Sequence, residues 1–501
     1  MTDHIKYVKL KLPHRKEKDT EEFYGEQTGK KFGLITAICM VVGIVVGSGV
    51  FFKAQNVLSI TEGNMPLGIL AWVIGGAVML ICALNFSTLA THFEKVNGIV
   101  DYGEATVGEG YAYFIAWFST MIYYPGMTSV LAWVSARYTV ALFGHSLDSG
   151  ICMATACFYL CASYAVNALS PKLAGKFQVS TTFIKMIPLI LIAVVGTVSG
   201  LFGKDAYLVT AFQSGSQVPA DGFGSALFAG VVATAFAYEG WIIATSINAE
   251  LRNAKRNLPL ALTVGGIIIV AIYVVYYIGI AGTTGIQTLM EEGASAGFTN
   301  LLGKAGGTAV SVLIVVSCLG TLNGLMLAAT RGMYAMAIRS QGPAPKTFSE
   351  VSPSTNMPTN SSVFGLLICG LWLFYFFGAN LMETPLFGLF SFDSSELPIV
   401  TIYGFYIPIF VMYIKKFGKK NPFKNILMPV LGIIASVFMI FAAVWAHGIT
   451  PFLNARENGK FSCPVLFYLI LFLVIMLIGA CFYYPGKKKN QSEPRMHKKK
   501  K

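Results

Sequence analysis

Charged residues are scarce in this sequence. Only 12% of its 501 residues are Asp, Glu, Lys or Arg, whereas 55% are hydrophobic, and the mean hydropathy is +0.63. A soluble protein of this length could not cover so much apolar surface with so few charges. The stretches between the apolar runs are too short for an independent soluble domain. The composition therefore excludes a soluble globular protein and predicts an integral membrane protein.

Several chemical signatures are also missing. The nine cysteines have no spacing that suits a metal, and they lie in or at the ends of apolar segments, so neither a metal site nor a disulfide framework is expected. His92, His145 and His447 form no ligand spacing, and we interpret them as loop or interface residues. The sequence has no recognisable nucleophile–base pair or phosphate-binding loop. These absences argue against an enzyme and against a bound cofactor.

Acidic residues are outnumbered by basic ones, which gives a formal net charge of +13. The basic residues stand beside apolar runs, mainly in "KKFGKKNPFK" and in the terminal "KKKN…RMHKKKK". This placement is typical of anchors at a membrane surface that attract anionic lipid. We therefore expect a lipid partner and no nucleic acid.

Long apolar runs are abundant. A helix that crosses a bilayer needs roughly 20 residues, and twelve runs meet this criterion. Their approximate bounds are 32–57, 66–92, 110–143, 152–170, 177–201, 223–248, 258–282, 306–337, 361–379, 385–414, 426–448 and 463–485. The predicted organisation is a tail at 1–31, a transmembrane domain at 32–485 and a basic tail at 486–501.

Lysine and arginine predict the orientation of these spans. Thirteen of them lie in the loops on one side, which is also the side of both termini, and four lie in the loops on the other. Cytoplasmic loops are enriched in these residues. The sequence therefore predicts a multi-pass protein of the plasma membrane with both termini in the cytoplasm.

Two apolar runs are interrupted at corresponding places. The first contains "VVGSGVFF" at 45–52, and the sixth contains "FAYEGW" at 236–241 with Glu239 and Gly240 inside an otherwise uncharged run. Breaks five spans apart point to an inverted-repeat transporter. The repeats would cover about 32–201 and 223–414, with two further helices at about 426–485. The alternative for the first run is a contact of small residues between closely packed helices.

A break at Gly47–Gly49 would free amides at the positive end of a half-helix, which suits a carboxylate. The carbonyls just before it, around Val45, could accept from an ammonium group. A second break at Phe236–Glu239 would add carbonyls from the facing helix. Together these groups would bind the part that all amino acids share.

"VVGSGVFF", "FAYEGW" and, in the eighth span, "CLGTLNG" at 318–324 resemble the amino acid–polyamine–organocation transporters, above all the L-type branch and its bacterial relatives. The likeness in motif order and span count extends over about 32–485. It implies an all-α LeuT-like fold of twelve helices with a five-plus-five inverted repeat and discontinuous helices 1 and 6. It also implies sodium-independent amino acid transport, often by exchange.

The resemblance also implies roles for particular residues. Carboxylate binding falls on the amides of Gly47, Ser48 and Gly49, and ammonium binding on the carbonyls of Val45, Phe236 and Glu239. Phe236 would be the aromatic gate, and the stretch that it opens also contains Ala237 and Tyr238. Lys185, in "TTFIKMIPLI", would replace sodium by reaching the unwound part of the first span.

Lys185 is noteworthy without the resemblance. It lies about eight residues into the fifth run, with no acid adjacent to it. A lysine within a membrane span is costly and is a functional hypothesis by default. The alternative is that its side chain extends to the cytoplasmic interface.

The tenth span departs most from the family pattern. Asp393 and Glu396 are three residues apart, so in a helix they would share a face, with Pro398 kinking or breaking the helix beyond them. They could recognise a cationic side chain, relay a proton or line a solvated external vestibule. Glu239 could join either of the first two roles or pair with Lys185.

Two further residues are candidates for the substrate pocket. Tyr124 stands before Pro125 in the third span and is either a wall of the site or a packing residue. Asn323 in the eighth span could contact substrate, or it could bond to another helix as structural glue.

The favoured function is an amino acid exchanger. The alternatives are a proton-coupled or cationic amino acid or polyamine permease and, less favoured, a non-transporting amino acid sensor. The loop "GHSLDSG" lacks the cysteine through which L-type carriers join a heavy chain, although Cys152 follows it closely. We expect a self-sufficient chain without a heavy-chain subunit, which could act as a monomer.

Overall fold

The apolar runs fold into helices, since a helix satisfies its own backbone hydrogen bonds where lipid offers no partner. The computed structural model describes residues 33–483 apart from 48, 94–97, 146–149, 170–176, 178–179, 182, 215–216, 245–250, 353–356, 383 and 419–421. The two predicted tails, 1–31 and 486–501, lie outside these residues.

The first half of the described chain forms ten α-helices: α1 Leu34–Val45, α2 Gly49–Ile60, α3 Met65–His92, α4 Ile99–Thr106, α5 Glu109–Phe118, α6 Tyr124–Leu142, α7 Gly150–Leu169, α8 Met186–Leu191, α9 Thr197–Phe202 and α10 Tyr207–Ser214. The second half forms eleven: α11 Phe223–Tyr238, α12 Trp241–Ala244, α13 Ala254–Ala281, α14 Ile286–Glu292, α15 Ala294–Ala337, α16 Pro345–Phe348, α17 Thr359–Asn380, α18 Leu397–Phe417, α19 Met428–Val444, α20 Thr450–Glu457 and α21 Pro464–Cys481. Wider π-helical turns occur at Ser119–Tyr123, Ile192–Gly196, Phe423–Leu427 and Trp445–Ile449, and a 3₁₀ turn at Gly388–Phe390.

Eight of the described helices are long and apolar enough to cross a membrane. A ninth span results if the segments Met186–Phe202 and Tyr207–Gln213, which meet at a bend of 79°, are counted as one. Helix α11 and most of α1 are apolar but shorter. The all-helical membrane class is confirmed, whereas the number of twelve spans stays a prediction.

The helices of the first and sixth predicted spans pack against each other and against their neighbours. Helix α11 packs against α2 and α3, and α13 packs against α1 and α3. A second group of contacts joins α15 to α6, α7 and α17. The outer faces stay apolar: Leu473 and Leu477 on α21, for example, are 57% and 67% exposed. Such surfaces suit lipid and not water.

One of two predicted boundaries differs from the structure. The eighth predicted span, 306–337, matches the second part of α15, because α15 consists of two helices that meet at a kink at Gly303 (φ 70°, ψ 171°). The tenth, 385–414, begins later, because α18 starts only at Leu397. Pro398 lies in the first turn of α18, where its missing N–H would have no partner in any case. This proline therefore begins a helix and does not break one.

Candidate functional site

The first predicted span is broken where its glycines stand. Helix α1 ends at Val45, Val46 is extended (φ −64°, ψ 111°), and α2 begins at Gly49. Ser48 lies outside the described residues. The last carbonyls of α1 and the first amides of α2 have no partner within their own helices. Both kinds of backbone group therefore meet at one break.

The second break lies where Glu239 and Gly240 predicted it. Helix α11 ends at Tyr238, Glu239 is extended (φ −69°, ψ 158°), and α12 begins at Trp241. Gly240 has a φ of 103°, a conformation that glycine adopts without strain and other residues rarely take. The glycine thus permits the chain to turn between the two helices.

The two breaks face each other at close range. A Cβ atom added to Gly49 would lie 2.7 Å from the Ala237 Cα and 3.1 Å from the Phe236 carbonyl oxygen. One added to Gly47 would lie 2.8 Å from the Thr321 hydroxyl of α15. The helix break and the small-residue contact, which the sequence left as alternatives, are therefore both present.

A cavity of about 280 Å³, the central cavity, lies between the breaks. This volume lies just below the roughly 300–1,000 Å³ that ligand pockets commonly measure, so it suits only a small molecule. The predicted site residues that line it are Val45, Gly47, Gly49, Tyr124, Lys185, Phe236, Ala237 and Glu239. The structure thus brings residues from four separate predicted spans to one place.

The central cavity has one acidic and one basic side chain in its wall. The Tyr123 hydroxyl donates a hydrogen bond to Glu239 Oε1. Lys185 is 3% exposed, so its side chain does not extend to a membrane interface. Among the ion pairs of the described residues none joins Lys185 to Glu239. The two side chains therefore face one cavity without forming an ion pair with each other.

Two predicted site residues lie away from the cavity wall. The Tyr238 hydroxyl donates to the Trp72 carbonyl oxygen at 2.9 Å, which directs this side chain toward α3. Asn323 Oδ1 accepts from Asn167 Nδ2 at 2.9 Å, a bond between α15 and α7. The bond of Asn323 matches the role of structural glue.

The prediction that Asp393 and Glu396 share a helix face is wrong, since both precede α18. Asp393 Oδ1 instead accepts from the Ser395 amide at 2.6 Å and from the Ser395 hydroxyl at 2.5 Å. A short acidic side chain commonly bonds to the backbone two residues on, and this turn competes with a helix.

Glu396 belongs to a buried cluster that joins three segments. Lys53 Nζ of α2 lies 2.5 Å from Glu396 Oε1, and the two side chains are 1% and 4% exposed. Lys53 Nζ also donates to the Ser395 hydroxyl at 3.1 Å. His447 Nε2, from the π-helical turn after α19, lies 3.0 Å from Glu396 Oε2. The interpretation of His447 as a loop residue is therefore wrong, because it lies within a helical segment against this carboxylate, whereas its position at a membrane interface stays a prediction.

Aromatic rings continue from this cluster to the central cavity. Lys53 Nζ lies 5.2 Å from the centre of the Phe52 ring and 5.3 Å from that of Phe236. The two rings meet edge to face at 6.2 Å. Beyond them is a second cavity of about 280 Å³, the Lys53 cavity, whose wall includes Lys53, Arg137 and Asp393. No described residue lines both this cavity and the central one.

A third cavity of about 410 Å³, the Arg331 cavity, lies on the other side of the central cavity. Five residues line both of them: Ile99, Tyr124, Ile242, Gly324 and Leu327. Because these walls are shared, the central cavity adjoins the Arg331 cavity directly, whereas rings and an ion pair separate it from the Lys53 cavity.

The fold and the site define a class of protein before any comparison: a multi-helix membrane protein whose broken helices enclose a small, mostly apolar cavity, with one acidic and one basic side chain in its wall, between two outer cavities. The amino acid permease family model matches residues 32–478. The chain belongs to this family, and the resemblance inferred from the three motifs is confirmed.

Individual relatives match along most of their length. The serine/threonine exchanger SteT of Bacillus subtilis is 30% identical over 475 residues, which cover 92% of this chain and 98% of the relative. The b(0,+)-type amino acid transporter 1 of Rattus norvegicus is 26% identical, with 94% and 92% covered. The human cystine/glutamate transporter is 24% identical, with 70% of each chain covered.

Proposed function

We propose that this protein is a sodium-independent amino acid exchanger that works by alternating access. The observation that carries the proposal is the pair of facing helix breaks, at Val46–Gly49 and Glu239–Gly240, around the central cavity. The names of the relatives, two of which denote exchange or paired substrates, support the same function.

In this proposal the substrate binds through its α-amino acid part. Its carboxylate takes the amides of Gly47, Ser48 and Gly49, at the positive end of α2. Its ammonium group takes carbonyls at the ends of α1 and α11, those of Val45, Phe236 and Glu239. These positions lie at the two breaks, and the side chain of the substrate is left to Tyr124 and the other walls.

Lys185 takes the place of a sodium ion. Its buried ammonium lines the same cavity as Val45 and Gly47, which supports a contact with the break in the first span. A fixed cation at this point stabilises the free carbonyls of the break without a dissolved ion. Transport would then need no sodium gradient.

The wider architecture is part of the proposal. It has twelve spans, a five-plus-five inverted repeat in a LeuT-like arrangement, and both termini in the cytoplasm of a plasma-membrane protein. Helix α1 then begins at the cytoplasmic side, the Arg331 cavity opens toward the cytoplasm, and the Lys53 cavity faces outward. The central cavity shares wall residues with the Arg331 cavity, and this supports an inward-facing arrangement.

One observation favours the second candidate, a permease for cationic amino acids or polyamines. Glu239 lines the central cavity, and its hydrogen bond comes from a neutral hydroxyl, that of Tyr123. A cationic substrate side chain would supply the missing positive charge. Glu396 is less suited to this role, because Lys53 already pairs with it.

The proposed carrier acts without a heavy-chain subunit. Cys152, the cysteine closest to the loop between the third and fourth spans, is fully buried, which supports a chain that forms no disulfide with a partner. Anionic lipid is the expected partner of the basic tails.

Exchange is tested in proteoliposomes that contain the purified protein in sodium-free buffer. We expect uptake of labelled serine or threonine into vesicles loaded with the same amino acid, and little uptake into empty ones. Uptake into empty vesicles that follows an imposed pH gradient would replace exchange with proton coupling. Competition by each of the twenty amino acids, ornithine and agmatine then defines the substrate class.

A further inference from the structure

We propose that the Lys53 cavity is a second, outer binding site for a zwitterionic amino acid, in which Arg137 binds the carboxylate and Asp393 binds the ammonium group. This cavity measures about 280 Å³, as does the central cavity, and no described residue lines both. The inference rests on the proposed function, since it adds a place where the transported class of molecule binds before it reaches the central cavity.

The cationic group of this site is the guanidinium of Arg137 on α6. Arg137 Nη2 donates to Gln55 Oε1 at 3.2 Å, and the guanidinium carbon lies 5.5 Å from the centre of the Trp133 ring. A guanidinium has five N–H donors, and among the described residues no carboxylate pairs with this one. A neutral amide and a ring therefore orient the arginine and leave it donors for a carboxylate, which a guanidinium binds in a bidentate manner.

The anionic group is the carboxylate of Asp393, in the segment before α18. Its Oδ1 atom accepts from the amide and the hydroxyl of Ser395, whereas its Oδ2 atom has no hydrogen bond to a described residue. No lysine, arginine or histidine of the described chain forms an ion pair with Asp393. The turn thus fixes one oxygen of the carboxylate and leaves the other for an ammonium group.

The chemistry of the wall favours a zwitterion over a simple ion. Arg137 and Asp393 do not pair with each other, so a gap separates their charged atoms. An amino acid carries its carboxylate and its ammonium group on one carbon and would bridge this gap, whereas an ion of one sign would leave one side chain without a partner. The rings of Phe52, Trp133 and Phe376 form the apolar part of the wall, which suits an uncharged side chain.

Hydrogen bonds connect the proposed site to the ion pair that separates it from the central cavity. The Ser395 hydroxyl donates to Asp393 Oδ1 and accepts from Lys53 Nζ at 3.1 Å. Lys53 in turn pairs with Glu396. The site therefore lies next to the contacts that must separate before its occupant can move inward.

Protection of a thiol tests the site in the purified full-length protein in detergent, where the orientation in a membrane has no influence. Ser59→Cys places the thiol at an exposed position of α2 in the wall of the Lys53 cavity, in a variant without the exposed native cysteines. We expect added serine or threonine to slow the labelling of this thiol. The concentration that gives half of the full protection measures the affinity.

Two variants each remove one charge from the site. Asp393→Asn keeps an oxygen that can accept from Ser395, so the turn is retained, and Arg137→Gln removes the guanidinium. Loss of a hydrogen bond to a charged group weakens binding by about tenfold or more. We expect the half-protection concentration to rise by at least this factor in either variant.

Arg331→Gln is the matched control, because it makes the same substitution at an arginine of the Arg331 cavity. It should leave the half-protection concentration unchanged. An equal rise in Arg331→Gln and Arg137→Gln, or unchanged values in both Arg137→Gln and Asp393→Asn, would overturn the proposal.

Two analogues of the amino acid assign each charge to its partner. The methyl ester lacks the carboxylate, so its weak protection should not fall further in Arg137→Gln. The 2-hydroxy acid lacks the ammonium group, so its protection should not fall further in Asp393→Asn. A 2-hydroxy acid that protects the parent as strongly as the amino acid would make this cavity an anion site and refute the zwitterion site.

Failure of the outer site and failure of the proposed function give different results. If the wild-type protein moves no amino acid but the thiol is protected as described, the proposed function fails and the outer site stands. If the wild-type protein exchanges amino acids while none of them slows the labelling, the function stands and the outer site is refuted.

Discussion

The two sides of the central cavity differ in how they treat charge. On the Lys53 side, Lys53 and Glu396 are buried and paired, and the Phe52 and Phe236 rings cover the cavity. On the Arg331 side, Arg331 is exposed, its cavity shares walls with the central one, and the nearby ion pair of Arg339 with Asp101 leaves the arginine side chain 34% exposed.

The comparison shows which side can be held shut by specific contacts. A buried ion pair has lost its hydration, so it is stable only while both partners stay together with good geometry. Its separation would let water reach both charges. A pair of this kind suits a closed side that must open in the transport cycle, whereas an exposed arginine imposes no such condition.

Removal of Lys53 should have the largest effect on this difference between the Lys53 side and the Arg331 side. Lys53→Met leaves the Glu396 carboxylate buried without its cation, which costs about 3–5 kcal/mol. We expect the closed arrangement on the Lys53 side to become the minor one. The reporter is a cysteine introduced at Met127, in the wall of the central cavity, in a variant of the protein without its exposed native cysteines. This cysteine should then react faster with a membrane-impermeant thiol reagent that is added outside the cells.

The control for this experiment is the double variant Lys53→Met/Glu396→Leu. It removes the charges of Lys53 and Glu396 together and leaves only the partly exposed His447 without its partner, so labelling should return toward the slow rate of the parent. Equally slow labelling in Lys53→Met and in the parent would show that the ion pair does not hold this side closed.

Substitutions of Lys185 test the central cavity, which lies between the two sides. We expect Lys185→Ala to reach the membrane in normal amount but to lose most transport, by about tenfold or more, because hydrogen bonds to a charged group contribute about 1.5–3 kcal/mol. Initial uptake rates in proteoliposomes, normalised to protein, measure the effect. Lys185→Arg keeps the charge and should retain more activity than Lys185→Ala. Wild-type uptake by Lys185→Ala would remove the lysine from the mechanism.

Gly49 tests the close approach of the two breaks. A Cβ in Gly49→Ala would lie 2.7 Å from the Ala237 Cα, so backbone must shift. Overpacking of this kind costs about 1–3 kcal/mol. We expect a lower melting temperature and weaker substrate binding. Gly404→Ala on α18 is the control, since the nearest atom to its Cβ would be Ile440 Cδ1 at 3.9 Å. Equal behaviour of both variants would mean that the breaks are not in tight contact.

Substitution of Glu239 has the smallest expected effect, and it distinguishes cationic from neutral substrates. If cationic substrates are carried, Glu239→Gln should lower their competition with labelled substrate by about tenfold, while neutral amino acids compete as before. The competition panel in proteoliposomes, repeated on this variant, measures the difference. A variant that loses neutral and cationic substrates alike would assign Glu239 to the shared part of the site.

Sequence reasoning predicted the local features well. Gly47, Gly49 and Gly240 carry a backbone signal that can be read directly, since a helix interior disfavours glycine. The position of Lys185 within a span likewise marked it as unusual, and the structure places it in the cavity wall.

Long-range partners could not be read in this way. Lys53 and Glu396 are 343 residues apart, so the local sequence around either residue does not indicate the pair. The prediction that Pro398 kinks or breaks the helix was wrong for a different reason: proline suits both the first turn of a helix, where the structure places it, and a break within one.

The central claim is that backbone groups at two facing breaks bind the charged part of an amino acid. Competition by paired analogues tests it most directly: a transported amino acid, its methyl ester and its 2-hydroxy acid, each against the labelled parent in proteoliposomes. The account predicts that the parent competes and that both analogues, which lack one charge each, compete at least tenfold more weakly. Competition by either analogue as strong as that of the parent would contradict it.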